Sequence, residues 1–293
     1  MSGVRKLVLL GTGLIGGSFA LALKRARLVQ QVVGVGRSAA NLERALDLNV
    51  IDDASHDAAT AVQGADLVLL GTPVGQMGAL MQAIAPHLAP DCIVTDGGST
   101  KQDVAALFRQ HLPRHLSCCV PGHPIAGSDL SGAAAAQYGL FEGRRVVLTP
   151  FAETAQNALE QVQTLWQQCG ARVYTMSPEQ HDGIFAAVSH VPHLLAFAYM
   201  NAVLAKSDAQ PCLDFAATGF RDFTRIAGSH PEMWRDIAVA NREAILADLK
   251  SCASQLQHVI ALVEAGNTEG MEDYFATASR ARVAWGQRHN QAK

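Results

Sequence analysis

The sequence predicts an α/β fold, with a doubly wound parallel sheet first and an all-α domain after it. Short apolar runs alternate with helical stretches up to Met176, and no convincing strand follows that residue. Runs of Leu, Val and Ile bounded by Gly, Pro or Asp are typical of parallel strands that helices cover on both faces. A chain of 293 residues suits two domains, and we predict them at residues 1–176 and 177–293.

Seven segments of the first domain have the composition of buried strands. They are Leu7–Leu10, Val32–Val35, Leu67–Leu70, Ile93–Thr95, Cys118–Val120, Val146–Leu148 and Val173–Met176. Helical segments such as Ser18–Arg27 and Lys101–Leu112 lie between them. This βαβαβ order predicts a parallel sheet joined by helical crossovers.

The second domain contains two clear helix starts, at Ser177-Pro178-Glu179 and at Ser229-His230-Pro231-Glu232. We predict one helix from Pro231 to Ala265, ended by Gly266. Its apolar residues recur every seven positions, which favours long helix–helix packing between two subunits and therefore a homodimer. The alternative is a long helix on the surface of a monomeric bundle.

Composition excludes several classes of protein. The net charge of −3 lacks the basic excess of a nucleic-acid-binding domain. Six cysteines without paired spacing indicate a reducing compartment, and we expect a cytoplasmic protein. Because no run of 18 apolar residues occurs, we expect no transmembrane helix and no membrane partner.

A glycine-rich motif follows the first predicted strand and opens a helix. Its members are Gly11, Thr12, Gly13, Leu14, Ile15 and Gly16. In this context a GxGxxG motif indicates a Rossmann dinucleotide site: the glycines permit a tight turn and close approach of a pyrophosphate to the helix N-terminus. The alternative is a glycine-rich turn that binds no ligand.

The end of the second strand predicts which dinucleotide binds. An NAD enzyme usually carries Asp or Glu there for the ribose 2′-hydroxyl, but this chain has Gly36-Arg37-Ser38 and no acid before Glu43. Arg37 can pair with a 2′-phosphate and Ser38 can donate a hydrogen bond to it. We therefore expect NADP, with NAD less favoured. The alternative is that Arg37 is a solvated loop residue and that both cofactors bind.

Two further strand ends carry polar residues, and ligands of open α/β sheets lie beyond the carboxyl ends of the strands. Thr72 and Pro73 follow one strand; Ser99 and Lys101 follow another. We expect these residues near the cofactor, Ser99 and Lys101 close to the nicotinamide. Ser99 or Thr100 could equally cap the next helix.

His123 follows the predicted strand that ends at Val120 and is the candidate general base. A neutral imidazole can accept the proton of a hydroxyl whose carbon loses hydride. Ser128, five residues later, is a candidate substrate-binding residue. A single histidine in a Gly/Pro loop can also be structural.

Several segments together resemble the prephenate/arogenate (cyclohexadienyl) dehydrogenase family. They are GTGLIGGS at Gly11–Ser18, DGGSTK at Asp96–Lys101, GHPIAGSD at Gly122–Asp129, HDGIFAAVSHVPH at His181–His193 and GFRDFTRIAGSHPEMWRDI at Gly219–Ile237. The resemblance implies a Rossmann domain followed by an all-α dimerisation domain. It also implies oxidative decarboxylation of arogenate or prephenate, with His123 accepting the ring-hydroxyl proton and Ser99 bonding beside it.

The resemblance also implies substrate contacts in the helical domain. His193 is expected to bond the substrate, and Arg225 to bind its carboxylate with Asp182 as the ion-pair partner of Arg225. His190 could be a buried packing histidine. Three histidines of the second domain, His181, His190 and His193, invite a metal site, but no acidic ligand stands at familiar spacing and we expect no metal.

Two other functions fit part of the pattern. Another Rossmann-plus-helical reductase, such as a β-hydroxyacid dehydrogenase or a pyrroline-5-carboxylate reductase, would share the architecture. The former would use a catalytic lysine, yet Lys206 and Lys250 lie in no such motif. A non-catalytic NADP-sensing regulator would keep Gly11–Gly16 without needing His123, His193 and Arg225.

Overall fold

The computed structural model describes residues 3–127 and 132–290. A six-stranded parallel sheet has the order β3-β2-β1-β4-β5-β6. Its strands are β1 (Val4–Leu10), β2 (Val29–Val35), β3 (Asp53–Ser55), β4 (Leu67–Leu70), β5 (Ile93–Asp96) and β6 (Cys119–Val120). The order reverses between β1 and β4, which is where open α/β sheets bind dinucleotides.

Helices cover both faces of this sheet. They are α1 (Leu14–Arg25), α2 (Ala39–Asp47), α3 (Ala58–Ala61), α4 (Val74–Ile84), α5 (Gln102–His111) and α6 (Gln156–Gln168). Alternate residues of β1 serve two separate apolar clusters, Leu7 and Leu9 on one face and Val8 and Leu10 on the other. This double burial explains why the strand is apolar at every position from Leu7 to Leu10.

The predicted doubly wound parallel sheet is confirmed, but three strands form a second sheet rather than extending the first. They are β7 (Gly122–Ile125), antiparallel to β8 (Arg145–Leu148), and β9 (Arg172–Thr175), parallel to β8. β7 was not predicted, because its sequence contains a glycine and a proline. The amide of Gly122 donates to the Asp96 carboxylate at 3.0 Å, so the chain leaves the ladder at this point.

Beyond β9 the described residues are helical and contain no strand, as predicted. The helices are α7 (Pro178–Phe185), α8 (Val191–Leu204), α9 (Ala209–Asp214), α10 (Thr218–Thr224), α11 (Pro231–Ala240), α12 (Arg242–Glu264) and α13 (Thr268–Asn290). Ser177 and Gln180 form a capping box at the predicted start of α7. A π-helical turn, Ala186–His190, joins α7 to α8 just before Pro192, and such turns are a known way for a helix to deviate from regular geometry.

The single helix predicted from Pro231 to Ala265 is wrong, because it is interrupted at Asn241. This residue has φ −105° and ψ 36°, outside the helical region, and its side chain is almost fully buried. The apolar heptad pattern runs through the break and conceals it. The predicted C-terminal glycine is confirmed: Gly266 has a φ of +60° just after α12.

The chain forms two compact units, residues 1–245 and 246–293. In the first, the helical run Pro178–Leu204 is long and apolar enough, by length and composition alone, to cross a membrane, although no such helix was expected. This is weak evidence, since core helices of soluble proteins meet the same criterion. The run also carries three buried polar residues, His181, Asp182 and His190.

Candidate active site

The glycine-rich loop has the backbone that a dinucleotide requires. Gly11 has a φ of +103°, and a side chain there would meet Gly71 backbone atoms at 2.9 Å. A Cβ on Gly16 would lie 2.5 Å from the Gly11 carbonyl oxygen. A Cβ built on Gly13 would have no other residue within 4 Å, so the space beside Gly13 is open. Gly13 precedes α1, whose N-terminus has no side-chain cap. The loop therefore fits a pyrophosphate approaching Gly13 and the free amides of α1.

The side chains around this loop divide into internal and accessible ones. Thr12 is buried and its hydroxyl accepts a 2.9 Å hydrogen bond from the Asn41 amide, which holds α2 against the loop. The Thr72 hydroxyl is buried without a partner among the described residues, so it can serve a ligand. Pro73 beside it is exposed.

At the end of β2, Arg37 is exposed and Ser38 caps α2. The Ser38 hydroxyl accepts the Asn41 backbone amide at 3.2 Å. This cap occupies the hydroxyl oxygen as an acceptor and leaves its own hydrogen available to a phosphate.

Lys101 has a different role from the one predicted. Its side chain is fully buried and its ammonium pairs with Asp96, which is also fully buried. The other Asp96 contacts are the Gly98 amide at 2.7 Å and the Gly122 amide at 3.0 Å. Direct contact with the cofactor is thus contradicted: Lys101 is the internal counter-ion of a carboxylate that joins the end of β5 to the start of β7.

His123, on β7, ends a chain of hydrogen bonds between side chains. Its Nδ1 lies 2.8 Å from Nε2 of His181. Nδ1 of His181 lies 2.8 Å from Oδ1 of Asp182. The Asp182 carboxylate also accepts the backbone amides of Lys101 at 2.8 Å and Gln102 at 2.9 Å, so it caps α5.

These partners replace the expected role of Asp182. Its side chain is fully buried, and its oxygens are used by His181 and two amides. Asp182 therefore orients His181, and three N–H donors compensate the charge of its carboxylate.

The charge states of Asp182 and His181 determine which ring nitrogens carry hydrogens in this row of hydrogen bonds. Burial opposes ionisation of Asp182, but hydrogen bonds from His181 and the two amides outweigh it and lower the pKa of the carboxyl. An ionised carboxylate only accepts, so Nδ1 of His181 donates to it. Burial, opposed by the Asp182 bond, lowers the pKa of His181. In the neutral ring Nε2 must accept, and it receives the Nδ1 proton of His123.

This arrangement leaves Nε2 of His123 with a free lone pair. Burial first, and then the charges of His181, Lys101 and His190, lower the pKa of His123 well below its ordinary value. The ring is neutral at pH 7. The geometry therefore lets His123 accept a proton at one defined nitrogen, Nε2.

His190 and Asn241 lie beside the same chain. The Asn241 amide donates to the Asp182 carbonyl oxygen at 2.8 Å and lies 3.1 Å from Nδ1 of His190. The Ser99 backbone also bonds His190. His190 is buried, as the packing alternative held, but it is hydrogen-bonded as well. Ser99 itself is half-buried in the loop that follows β5.

His193 and Arg225 mark the other side of the candidate site. The His193 ring stacks on Trp234, with centroids 3.8 Å apart, and its Nδ1 donates to the Ser189 carbonyl at 2.8 Å. Burial, and to a smaller extent the charge of Arg225, lower the pKa of His193. Arg225 is exposed at the start of a 3₁₀ turn, Arg225–Gly228. Ser128 lies outside the described residues.

Three residues of this site were missed by the sequence predictions: His181, Asp96 and Asn241. His181 was considered only as a metal ligand, although it stands next to Asp182 in the HDGIF segment. Among the described residues no group of three metal-ligating side chains is arranged around a common point. Asp96, directly before Gly97-Gly98, had the signal of an acid at a strand end.

Comparison with known proteins matches both halves of the chain to family models. Residues 19–175 match "Prephenate dehydrogenase, nucleotide-binding domain", and residues 177–277 match "Prephenate dehydrogenase, dimerization domain". Prephenate dehydrogenase of Bacillus subtilis is 38% identical over 94% of this chain and 75% of its own. Cyclohexadienyl dehydrogenase of Zymomonas mobilis is 35% identical over 97% of each chain.

Solved structures show the same likeness. Prephenate dehydrogenase of Aquifex aeolicus, in complex with hydroxyphenyl propionate and NAD⁺, superposes with a TM-score of 0.88 at 32% identity, covering 95% of this chain and 97% of its own. Arogenate dehydrogenase of Synechocystis superposes with a TM-score of 0.79 at 29% identity, covering 96% and 100%. The Rossmann domain followed by a helical dimerisation domain is thereby confirmed.

Proposed function

The chain belongs to the prephenate dehydrogenase family, and from that premise we propose that it catalyses the NADP-dependent oxidative decarboxylation of arogenate to tyrosine, of prephenate to 4-hydroxyphenylpyruvate, or of both. Its relatives' names include prephenate, cyclohexadienyl and arogenate dehydrogenases. A general dehydrogenase activity on a cyclohexadienyl acid follows from the family; the cofactor and the preferred acid are our proposal.

The observation that carries the proposal is the chain His123–His181–Asp182. It holds the His123 ring by Nδ1 at 2.8 Å and leaves Nε2 unprotonated. A base of this kind is needed where a ring hydroxyl becomes a carbonyl. When His123 takes up the proton, its Nδ1 still donates to His181, which in turn donates to the Asp182 carboxylate, so neither ring has to move.

The remaining residues orient the reactants. The nicotinamide, when bound, accepts the hydride from the carbinol carbon. Gly11–Gly16 would hold its pyrophosphate, Thr72 and Pro73 would line the approach to the ring, and the Ser99 hydroxyl would bond the substrate hydroxyl beside His123. Loss of carbon dioxide aromatises the ring and makes turnover effectively irreversible, so orientation is the main task of the protein.

Substrate anions would be bound from the helical domain. Arg225 offers a guanidinium suited to two-point binding of a carboxylate, and its charge reaches His193. His193, held by Ser189 and stacked on Trp234, has only Nε2 left for the substrate. Ser128 completes the proposed substrate-binding set. We favour arogenate, because the basic end of β2 points to NADP, which we associate with arogenate.

We also propose that the protein is a cytoplasmic homodimer. The division into residues 1–176, which bind NADP, and residues 177–293, which bind substrate and the second subunit, is supported by family matches that end at residue 175 and begin at residue 177. The other reductases and the NADP sensor weighed above have no comparable support.

The test is reduced-cofactor formation, measured by absorbance, with prephenate or arogenate paired with NAD or NADP. We expect the strongest signal with arogenate and NADP. His123→Asn should lower kcat by about 10²–10⁴-fold, the usual contribution of a general base, while the Kd for NADP changes less than about twofold. Silence in all four combinations, from folded protein that binds NADP, would reject the activity; full turnover by His123→Asn would reject only the base.

A further inference from the structure

His56 is an exposed histidine at the carboxyl end of β3, outside the catalytic site described above. Its Nδ1 lies 2.8 Å from the carbonyl oxygen of Gly36, the last residue before Arg37. β3 pairs with β2 in parallel, with Ser55 opposite Val35, so the two strand ends stand side by side. The histidine is thus fastened to the backbone at the point where an adenosine ribose is recognised in this fold.

From this geometry we propose that His56 is a second ligand, beside Arg37, for the 2′-phosphate of NADP. The inference rests on the proposed NADP preference. A carbonyl oxygen only accepts, so Nδ1 of His56 carries a hydrogen and Nε2 alone remains for a ligand. In the imidazolium form Nε2 donates a charge-assisted hydrogen bond, which a phosphate dianion favours.

The surrounding charges are compatible with an anion. The Asp57 carboxylate is turned to its own helix: Oδ1 accepts the Ala59 amide at 3.0 Å, and Oδ2 bonds the Thr60 hydroxyl. Asp53 accepts the amide of Ala54 at 2.9 Å. On the β2 side the charged neighbour is Arg37, and no acid follows before Glu43. The oxygens of both carboxylates thus accept hydrogen bonds from their own segments, and Arg37 and His56 are the side chains at the two strand ends that can donate to an anion.

The experiment measures binding of 2′,5′-ADP and of 5′-AMP to the full chain by titration calorimetry. The two ligands differ only in the 2′-phosphate. Wild-type protein should bind 2′,5′-ADP more tightly than 5′-AMP. His56→Ala should weaken 2′,5′-ADP binding about tenfold, with 5′-AMP binding unchanged.

His56→Asn separates the two roles of the ring. Its amide can still donate to the Gly36 carbonyl, so the strand ends stay joined, but it cannot present a cation; it should behave like His56→Ala toward 2′,5′-ADP. His111→Ala is the control, since α5 begins at the ligand edge of the sheet and His111 ends it at the far side. It should match wild type.

The possible failures are distinct. Equal weakening of both ligands in His56→Ala would make the residue a structural tie and overturn the proposal. Unchanged 2′,5′-ADP binding in His56→Ala, with a wild-type preference for that ligand, would overturn it while leaving the NADP preference intact. Equal wild-type affinities for the two ligands would overturn both, yet leave dehydrogenase turnover with NAD to be observed separately.

Discussion

His181 joins His123 to Asp182: its Nε2 lies 2.8 Å from Nδ1 of His123, and its Nδ1 lies 2.8 Å from Oδ1 of Asp182. His123 is on β7 and the other two residues are on α7, so the chain connects the Rossmann half to the first helix after it. The orientation of the proposed base depends on a residue from the helical half. Substitutions along this chain should affect turnover without affecting cofactor binding.

His181→Phe should lower kcat by about 10- to 100-fold, because the ring volume stays but the bond that orients His123 is lost. Steady-state kinetics give kcat, and fluorescence titration gives the Kd for NADP, which should be unchanged.

Phe185→Leu is the matched control for that variant. The Phe185 ring packs on the rings of His123 and His181 at centroid distances of 5.0 and 4.5 Å, but it makes no hydrogen bond with them. Its kcat should fall only a fewfold. Equal losses in the two variants would mean that packing, rather than the hydrogen bond, holds His123.

Asp182→Asn should lower both stability and kcat. The NH₂ group of the new asparagine would point either at Nδ1 of His181 or at the backbone amides that begin α5. The buried N–H group it meets would lose its acceptor, at a cost of about 1–3 kcal/mol. Urea unfolding near pH 7 measures the loss, and Asp208→Asn, at an exposed position, serves as control.

The pH dependence of that loss has a definite sign. The folded pKa of Asp182 lies below its ordinary value, so the carboxylate contributes its full stability above the unfolded pKa and loses it as pH falls through the folded pKa. The difference between wild type and Asp182→Asn should be constant from pH 5 to 7 and shrink below about pH 4. A difference that grows on acidification would contradict the assignment.

The parts of this site that sequence could predict are those determined by local signals. The Gly11–Gly16 loop and His123 follow directly on apolar strands, and their place at the ligand edge follows from strand order alone. The His123–His181 contact joins residues 58 positions apart. Which histidine of a helix contacts which strand depends on the packing between those elements. After α7, the π-turn Ala186–His190 also shifts which residues share a helix face, so the regular spacing of 3.6 residues per turn no longer predicts that face.

Lys101 and Asn241 are two positions where the local sequence pattern gave a wrong prediction. Lys101 stands where a cofactor ligand would be expected, but its burial is decided by Asp96, whose carboxylate needs a counter-ion inside the protein. Asn241 interrupts the helix although the apolar repeat continues through it. Its side-chain amide instead forms buried hydrogen bonds with the Asp182 carbonyl and with His190. In both cases a tertiary polar contact overrides a local pattern.

Arg37→Ala should weaken NADP at least tenfold and leave NAD within about twofold, since a charge-assisted phosphate contact contributes about 1.5–3 kcal/mol. Direct titration with both cofactors gives the two Kd values. Arg44→Ala, in the last turn of α2, should change neither. Parallel losses for NAD and NADP in Arg37→Ala would remove the 2′-phosphate contact.

Arg225→Gln should raise the KM for the cyclohexadienyl substrate by about 10- to 100-fold and change kcat less, because the guanidinium would bind a carboxylate present in both ground and transition states. Arg221→Gln is the control: it lies on α10 and pairs with Asp222 at the surface. An unaltered KM in Arg225→Gln would exclude this arginine from substrate binding.

His190→Gln should reduce the amount by which the free energy of unfolding falls at acid pH. The Asn241 amide donates to Nδ1 of His190, so that nitrogen cannot take a proton without losing its bond. Burial, the largest cause, lowers the pKa of His190 from 6.5 to about 4. The unfolded chain therefore binds a proton that the folded protein refuses between these values.

The consequence for wild type is a loss of stability as pH falls from 6.5 toward 4, with full stability above 6.5. This histidine alone accounts for about 3 kcal/mol at most, and His123 and His181 add to it in the same direction. Urea unfolding at half-unit steps from pH 4 to 7 should show a shallower fall in His190→Gln than in wild type. Parallel curves would mean that His190 is protonated in the folded protein, and Nδ1 would then have to donate where Asn241 also donates.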